Sequence, residues 1–154
     1  MPESEKVKFI NARFGEVEVE RADVLTFPGG LPGFERCRHY GLLALEEESP
    51  FLRMLSTEDP AVGFVLVDPR LIWGDYDPKV SGEDLEGLEI SSPEEMAVYC
   101  IVTLHPVPQQ VTANLKGPLF INTRTMQARQ LILLDERYHT KHAILAAGQE
   151  KTRS

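Results

Sequence analysis

The sequence predicts a mainly β protein, a small closed barrel-like antiparallel β fold with one or two short helices. Short segments of alternating or β-branched apolar residues follow one another at close spacing along the chain. Proline, glycine and acidic residues separate these segments, as expected of turns. Only residues 81–88 and 137–147 have the pattern of a helix, which is too few for the alternating strands and helices of a parallel α/β sheet.

The composition is typical of a single folded domain. The 154 residues are 42% hydrophobic, enough for one core, and 26% charged, near the average of globular proteins. We expect one domain over residues 1–154, with frayed ends at 1–5 and 148–154. The chain has neither a run of roughly 20 apolar residues nor the pattern of a signal peptide, which predicts a cytoplasmic protein with no membrane partner.

The acidic charge balance limits the partners that the protein can bind. The chain has 24 acidic and 16 basic residues, and its formal charge is −8. This charge repels the phosphate backbone of nucleic acids and favours a basic protein or peptide as a partner. We therefore expect no direct nucleic-acid binding, although a small barrel fold would permit it.

The N-terminal segment predicts a β-hairpin. Val7 and Phe9 lie on one face of the first strand, and residues 11–15 form the turn. In the second strand, Val17 and Val19 face one way. The three residues that face the other way are Glu16, Glu18 and Glu20. This acidic stripe is either the solvated face of a half-buried sheet or a face on which a partner docks.

Seven further strands are predicted from apolar segments between turn residues. They are 24–27, 40–45, 51–55, 63–67, 96–104, 119–122 and 128–134. The segment 96–104 is the most apolar and β-branched, which is typical of a central strand. The loop 28–34, with two prolines and three glycines, carries Leu31 and Phe34. Its glycines lack the spacing of a dinucleotide site, so we interpret the loop as structural.

Two helices complete the predicted elements. Residues 81–88 begin with Ser81, a residue that caps helices, and have acidic residues in the first turn, which favours a short helix. Residues 137–147 are predicted to form a terminal helix or helical tail.

The two cysteines show no pattern of a metal site or a redox pair. Cys100 lies within an apolar strand and is expected to be buried. Cys37 is flanked by Arg36, Arg38 and His39, which would lower its pKa if the thiol were exposed. No base and orienting residue are recognisable around Cys37, so we expect no catalytic role for it.

A catalytic or metal-binding function is the main alternative to protein binding. Asp68 and His105 each end a strand beside a proline, and His139 and His142 would share one face of the predicted terminal helix. These pairs suggest a small hydrolytic or metal-dependent enzyme. A third metal ligand and a nucleophile signature are not evident, so we predict no enzyme, no catalytic residues, no bound metal and no cofactor.

The segment 68–78 has the composition of an interface. It contains Trp73 and Tyr76, whose large side chains give contact area at low entropic cost, together with three carboxylates. Asp75 and Asp77 could also suggest a cation site. The glycine and terminal glutamate spacing of a calcium-binding loop is missing, so we do not predict one.

Several stretches of the sequence resemble the FliW family of flagellar assembly factors, in order from about residue 9 to about residue 145. The stretches that carry the resemblance are 27–34, 50–51 with Ser56, 64–69, 98–103, 112–122, 130–133 and 138–142. The segment 112–122 is the most similar. One departure is Leu55, where a polar glutamine is expected in the family before Ser56.

The resemblance implies a small closed β fold and a non-enzymatic function with two protein partners. One is flagellin, held in the cytoplasm before export, and the other is the RNA-binding translational repressor CsrA. When flagellin is exported, such a factor is freed, binds the repressor and relieves repression of flagellin synthesis. A helical terminal segment of flagellin would suit an apolar groove, and the basic repressor would suit an acidic surface.

Clustering of acidic and aromatic residues gives the candidate protein-binding site. We expect a set of carboxylates to face the repressor, with two aromatic side chains as anchors. The carboxylates are Asp75, Asp77, Glu83, Asp84 and Glu86, and the anchors are Trp73 and Tyr76.

Overall fold

A computed structural model describes residues 5–44, 50–106 and 109–144 of the chain. In these ranges the protein has eleven strands, four 3₁₀ helices and no α-helix, which confirms the predicted mainly β class. The strands are β1 (Lys6–Asn11), β2 (Gly15–Glu20), β3 (Val24–Thr26), β4 (His39–Ala44), β5 (Phe51–Ser56), β6 (Gly63–Val67), β7 (Met96–Pro106), β8 (Gln109–Ala113), β9 (Leu119–Asn122), β10 (Gln127–Gln130) and β11 (His142–Ile144). The 3₁₀ helices are Arg21–Asp23, Pro69–Leu71, Glu86–Leu88 and Pro93–Glu95.

Seven strands close into a barrel, in the order β3–β4–β5–β6–β7–β9–β10 and back to β3. All neighbours in this ring are antiparallel except β3 and β10, whose single parallel pair joins Thr26 and Gln127. The closed β fold that the sequence predicts is therefore confirmed. β8 and β11 extend the sheet beyond the barrel, with β8 paired to β7 and β11 paired to β8.

The long strand β7 closes the barrel because it changes partners along its length. Its first half pairs with β9, from Met96 to Tyr99. Its middle pairs with β6, from Cys100 to Val102, and its second half pairs with β8. The predicted strand 96–104 is thus confirmed as the central strand, although it continues through Pro106.

The predicted hairpin is formed by β1 and β2, which pair over their whole length as a separate sheet. Phe9, Val17 and Val19 are buried against the barrel together with Leu55. On the other face two of the three glutamates lie opposite lysines, whereas Glu16 lies opposite Ile10. Lys8 pairs with Glu18 in the register, and the Lys6 Nζ lies 3.0 Å from Glu20 Oε2. The acidic stripe is therefore partly neutralised within the hairpin.

Two larger core clusters hold the barrel and its loops together. The first contains Phe27, Tyr40 and Met54, and the second contains Tyr76, Phe120 and Tyr138. Burial of each of these side chains removes apolar surface from water and stabilises the fold. Leu31 of the loop 28–34 is buried in the first cluster, and Phe34 packs against it, as expected of a structural loop.

The two cysteines are both fully buried, one in each of these clusters. The Cys37 thiol is not exposed, and exposure was the condition for its activation by the neighbouring cations. The burial expected of Cys100 is confirmed, and it raises the pKa of this thiol to about 12.

The predicted C-terminal helix over 137–147 is wrong in its described part. Tyr138 is buried in the second core cluster, and residues 142–144 form β11 against β8. The backbone N–H groups of Leu115 and Lys116 both donate to the carbonyl oxygen of His139, each at 3.1 Å. Pairing with distant strands thus overrides the local helical pattern. Residues 145–147 lie outside the described residues.

Three smaller differences concern strand and helix bounds. The strand predicted over 128–134 is β10, which ends at Gln130. The predicted short helix over 81–88 is reduced to turns and the 3₁₀ helix Glu86–Leu88. β8 was not predicted, because Gln109, Gln110 and Thr112 give its sequence little apolar character.

Candidate protein-interaction surfaces

All seven predicted binding residues lie on one long connection between β6 and β7. We call residues 73–86 of this connection the acidic loop. The connection leaves the barrel at Asp68, whose Oδ1 accepts a hydrogen bond of 3.0 Å from the Arg70 N–H and caps the 3₁₀ helix Pro69–Leu71. The predicted residues therefore share one connection, and their role in binding a partner stays a prediction.

Tyr76 is a core residue rather than a surface residue. Its side chain is 4% exposed, and its hydroxyl donates a hydrogen bond of 2.7 Å to the carbonyl oxygen of Leu115. Its ring packs edge-on against Tyr138 at 4.7 Å between ring centroids. Burial raises the pKa of the Tyr76 hydroxyl, so the group is a neutral donor. This burial argues against the anchor role that we predicted for Tyr76.

Trp73 is half-buried and packs against the second core cluster. Its ring lies edge-on to the His142 ring, with 6.1 Å between centroids. The backbone N–H of Trp73 donates a hydrogen bond of 2.7 Å to the Pro69 carbonyl oxygen, and this bond holds the backbone at Trp73. Part of the indole thus remains accessible, and its anchor role stays a prediction.

Asp75 and Asp77 are both exposed, but they have different neighbours. Asp77 Oδ2 lies 2.8 Å from Lys79 Nζ, and the hydrogen bond and charge of Lys79 lower the pKa of this carboxyl group. Asp75 has no ion-pair partner among the described residues. Asp75 is therefore the more available of the two for a cationic partner.

The second half of the acidic loop presents Glu83, Asp84 and Glu86, all exposed. The Ser81 hydroxyl accepts a bond of 3.0 Å from the Asp84 N–H, and Asp84 Oδ2 accepts one of 3.2 Å from the Ser81 N–H. This is the reciprocal pattern of a capping box. Arg129 Nη1 donates to the Asp84 carbonyl oxygen at 3.1 Å and ties the turn to β10.

Two residues after the acidic loop, Leu88 is bonded to the barrel by Asn122, which is fully buried. Asn122 Nδ2 donates a bond of 2.7 Å to the carbonyl oxygen of Leu88, and its Oδ1 accepts from the N–H groups of Arg124 and Thr125 at 2.8 and 3.2 Å. The carboxylates thus project from a backbone held at several points, which lowers the entropic cost of binding a partner.

The histidine pair is close in space, although the helix predicted for it does not form. The rings of His139 and His142 stack with 5.3 Å between centroids, and the His139 N–H donates to His142 Nε2 at 2.8 Å. Burial and the neighbouring His139 lower the pKa of His142, so this ring is neutral near pH 7. Within residues 5–44, 50–106 and 109–144, no group of three or more metal-ligating side chains is present.

The backbone positions of Asp68 and His105 lie far apart along β7. Val67 pairs with Cys100, so Asp68 lies beside Tyr99, whose pKa is raised by burial and by this carboxylate. His105 lies six residues after Tyr99 in β7. At a rise of about 3.3 Å per residue in a strand, the backbone of His105 is roughly 20 Å from that of Tyr99. The structure therefore gives no support to an enzyme that uses this pair.

A groove that sequence reasoning missed lies between the β1–β2 turn and the strands β5, β6 and β7. Its volume is about 450 Å³, and its lining includes Phe14, Leu55 and Leu104. Phe14 and Leu104 are 44% and 65% exposed, whereas Leu55 is buried. Leu55 thus adds an apolar side chain to the wall of this groove.

Two arginines give the groove a basic character. The guanidinium carbons of Arg13 and Arg53 lie 5.3 and 4.7 Å from the centroid of the Phe14 ring, within the range of cation–π contacts. Asn11 Oδ1 shapes the turn by accepting bonds from the N–H groups of Arg13 and Phe14. An aromatic residue at an exposed hairpin turn was the sequence signal that could have indicated this surface.

No helix in the described part of the chain has the length and apolarity that a bilayer span requires. The fold and its surface define a small closed β-barrel protein with an acidic loop and an arginine-lined groove.

Comparison with known proteins places this architecture in one family. The model of the FliW protein family matches residues 8–144. The flagellar assembly factor FliW of Thermotoga neapolitana is 38% identical over 145 residues, which cover 94% of this chain and 97% of the relative. The same factor of Alkaliphilus metalliredigens is 39% identical over 138 residues, covering 89% and 85% of the two chains.

The solved structures include a similar fold. A crystal structure of the flagellar assembly factor FliW superposes with a TM-score of 0.79 at 33% identity, covering 91% of this chain and 98% of the other. The chain belongs to the FliW family of flagellar assembly factors.

Proposed function

We propose that the protein is a non-enzymatic, cytoplasmic assembly factor with two alternative protein partners. It binds flagellin before export. When flagellin leaves the cell, the free protein binds the translational repressor CsrA and antagonises it, which couples flagellin synthesis to export. Family membership over residues 8–144 is the observation that carries this proposal.

The acidic loop supports the repressor as a partner. An RNA-binding protein exposes basic residues, and a complementary acidic surface attracts them and speeds association. Asp75, Glu83 and Glu86 are exposed and have no ion-pair partner within the described ranges. The same charges repel RNA, so the protein acts on the repressor and not on its RNA.

Charge reversal in the acidic loop tests this assignment. The variant Asp75→Lys plus Glu86→Lys is expected to weaken repressor binding by about tenfold or more, because two attractive contacts become repulsive at about 1 kcal/mol each. Calorimetry at low and at high salt measures the affinity. The wild-type affinity should fall with salt, and the variant should lose most of that dependence.

The hairpin provides a matched control with the same change in charge. Glu16→Lys plus Glu18→Lys alters the acidic stripe, where Glu18 already lies opposite Lys8. We expect this variant to bind the repressor as the wild type does. If the stripe variant loses affinity and the loop variant keeps it, the repressor docks on the hairpin and the assignment to the loop is wrong.

A further inference from the structure

The groove between the β1–β2 turn and the barrel lies where two neighbouring strands separate. β6 and β7 pair at Val67–Cys100, Leu66–Ile101 and Val65–Val102, and the ladder ends there. β6 begins two residues earlier, at Gly63, and β7 continues to Pro106 while paired on its other side with β8. If the ladder continued, Gly63 would be opposite Leu104, but these two residues are not a ladder pair. Both line the groove.

The backbone polar groups of Leu104 point into this gap. In an antiparallel strand, successive residues direct their N–H and C=O groups to opposite neighbours. The Ile101 carbonyl oxygen accepts from the Asn114 N–H at 2.9 Å, on the β8 side. Val102 and Leu104 must then point towards β6, and only Val102 has a paired residue there. The β6 side of β7 is thus a short open strand edge at Leu104.

The charge around this edge is opposite to that of the protein as a whole. The chain has a formal charge of −8, yet Arg13 and Arg53 line the groove. Neither has a carboxylate partner among the residues that the structure describes. Both guanidinium groups contact Phe14, which leaves N–H donors available for an acceptor. A basic repressor would be repelled here, whereas a segment with a carboxylate would be attracted.

We propose that the groove binds an extended segment of flagellin that adds a short strand to β7 at Leu104. Backbone hydrogen bonds to Leu104 hold the segment, apolar side chains contact Phe14 and Leu104, and a carboxylate binds Arg13 and Arg53. This inference rests on the proposed binding of flagellin. An open edge favours an extended segment over the helical one that the family resemblance implies, because a helix pairs its own backbone groups internally.

Leu104→Pro tests the backbone contact. Proline removes the N–H that points into the gap and spares the ladder between β7 and β8, because Leu104 does not direct its backbone groups to β8. We expect flagellin affinity, measured by calorimetry, to fall about tenfold or more. Leu104→Ala keeps the N–H and is expected to retain more of the affinity. Both variants should bind the repressor normally.

Arg13→Glu plus Arg53→Glu tests the charge contact. We expect flagellin affinity to fall at least about tenfold at low salt and less at high salt. Lys8→Glu plus Lys141→Glu changes the net charge equally at exposed positions away from the groove lining and is expected to bind flagellin normally.

Hydrogen exchange of the wild-type protein gives a readout that does not depend on folding of a variant. The Leu104 amide should exchange at least about tenfold more slowly in the flagellin complex. If flagellin binds but the Leu104 exchange and the affinities of both groove variants do not change, the groove inference is overturned and flagellin binding stands. If flagellin does not bind the wild type, the proposed function fails as well. If the groove variants lose the repressor instead, the groove belongs to that partner and the inference is wrong.

Discussion

Replacing Tyr76 by alanine is expected to lower the free energy of unfolding by about 3–5 kcal/mol, as for other large aromatic side chains in protein cores. The ring is 4% exposed and packs against Tyr138, and its hydroxyl binds the Leu115 carbonyl oxygen. Removal leaves a cavity and an unsatisfied buried carbonyl group. Chemical denaturation followed by circular dichroism measures the loss.

The conservative variant separates packing from hydrogen bonding. Tyr76→Phe keeps the ring and loses the hydroxyl, with its bond to Leu115 and its contact with Cys100, so its expected cost is about 1–3 kcal/mol. At temperatures where Tyr76→Phe remains folded, we expect it to bind the repressor as the wild type does. Unchanged stability together with a large loss of repressor affinity would restore Tyr76 as a binding anchor and contradict its assignment to the core.

Asn122→Ala is expected to destabilise the protein by about 3 kcal/mol, because it removes a fully buried side chain, leaves the Leu88 carbonyl oxygen without its buried donor and frees two N–H groups of the turn. The Asn122 side chain joins β9 to the Leu88 carbonyl oxygen and also bonds two N–H groups of the following turn. The bond to Leu88 holds the connection just after the acidic loop. Repressor affinity should therefore fall together with stability.

Asn11→Ala is the control for this effect. Asn11 is also buried and accepts two backbone N–H bonds in a turn, but it lies in the hairpin and makes no bond to the connection. We expect Asn11→Ala to lower stability and to leave repressor affinity unchanged. If both variants weaken repressor binding equally, the loss follows from general destabilisation and not from release of the loop.

Most of the fold could be predicted because its strands have clear local signals. The alternation of Val17 and Val19 with glutamates defines one face of the hairpin, and the apolar segments of β4 to β7 lie between turn residues. The C-terminal segment could not be predicted in this way. Its helical pattern is local, whereas the burial of Tyr138 and the pairing of β11 with β8 depend on residues far away in the sequence.

The candidate binding site stays a prediction, and the structure adds the surroundings of each of its residues. Sequence clustering placed the carboxylates together, and the structure brings them onto one connection. Only the fold shows that Tyr76 faces the core and that Asp77 is paired with Lys79. The groove was not predictable from local patterns, because it arises where β6 and β7 separate beneath the hairpin turn.

Partner exchange can be decided by one titration. A fluorescently labelled RNA target is bound to the repressor, and its fluorescence anisotropy is followed as this protein and then flagellin are added. We expect the protein to release the RNA and flagellin to restore RNA binding, because flagellin withdraws the protein from the repressor. An anisotropy that the protein leaves unchanged, or that flagellin does not restore, would contradict the coupling of flagellin synthesis to export.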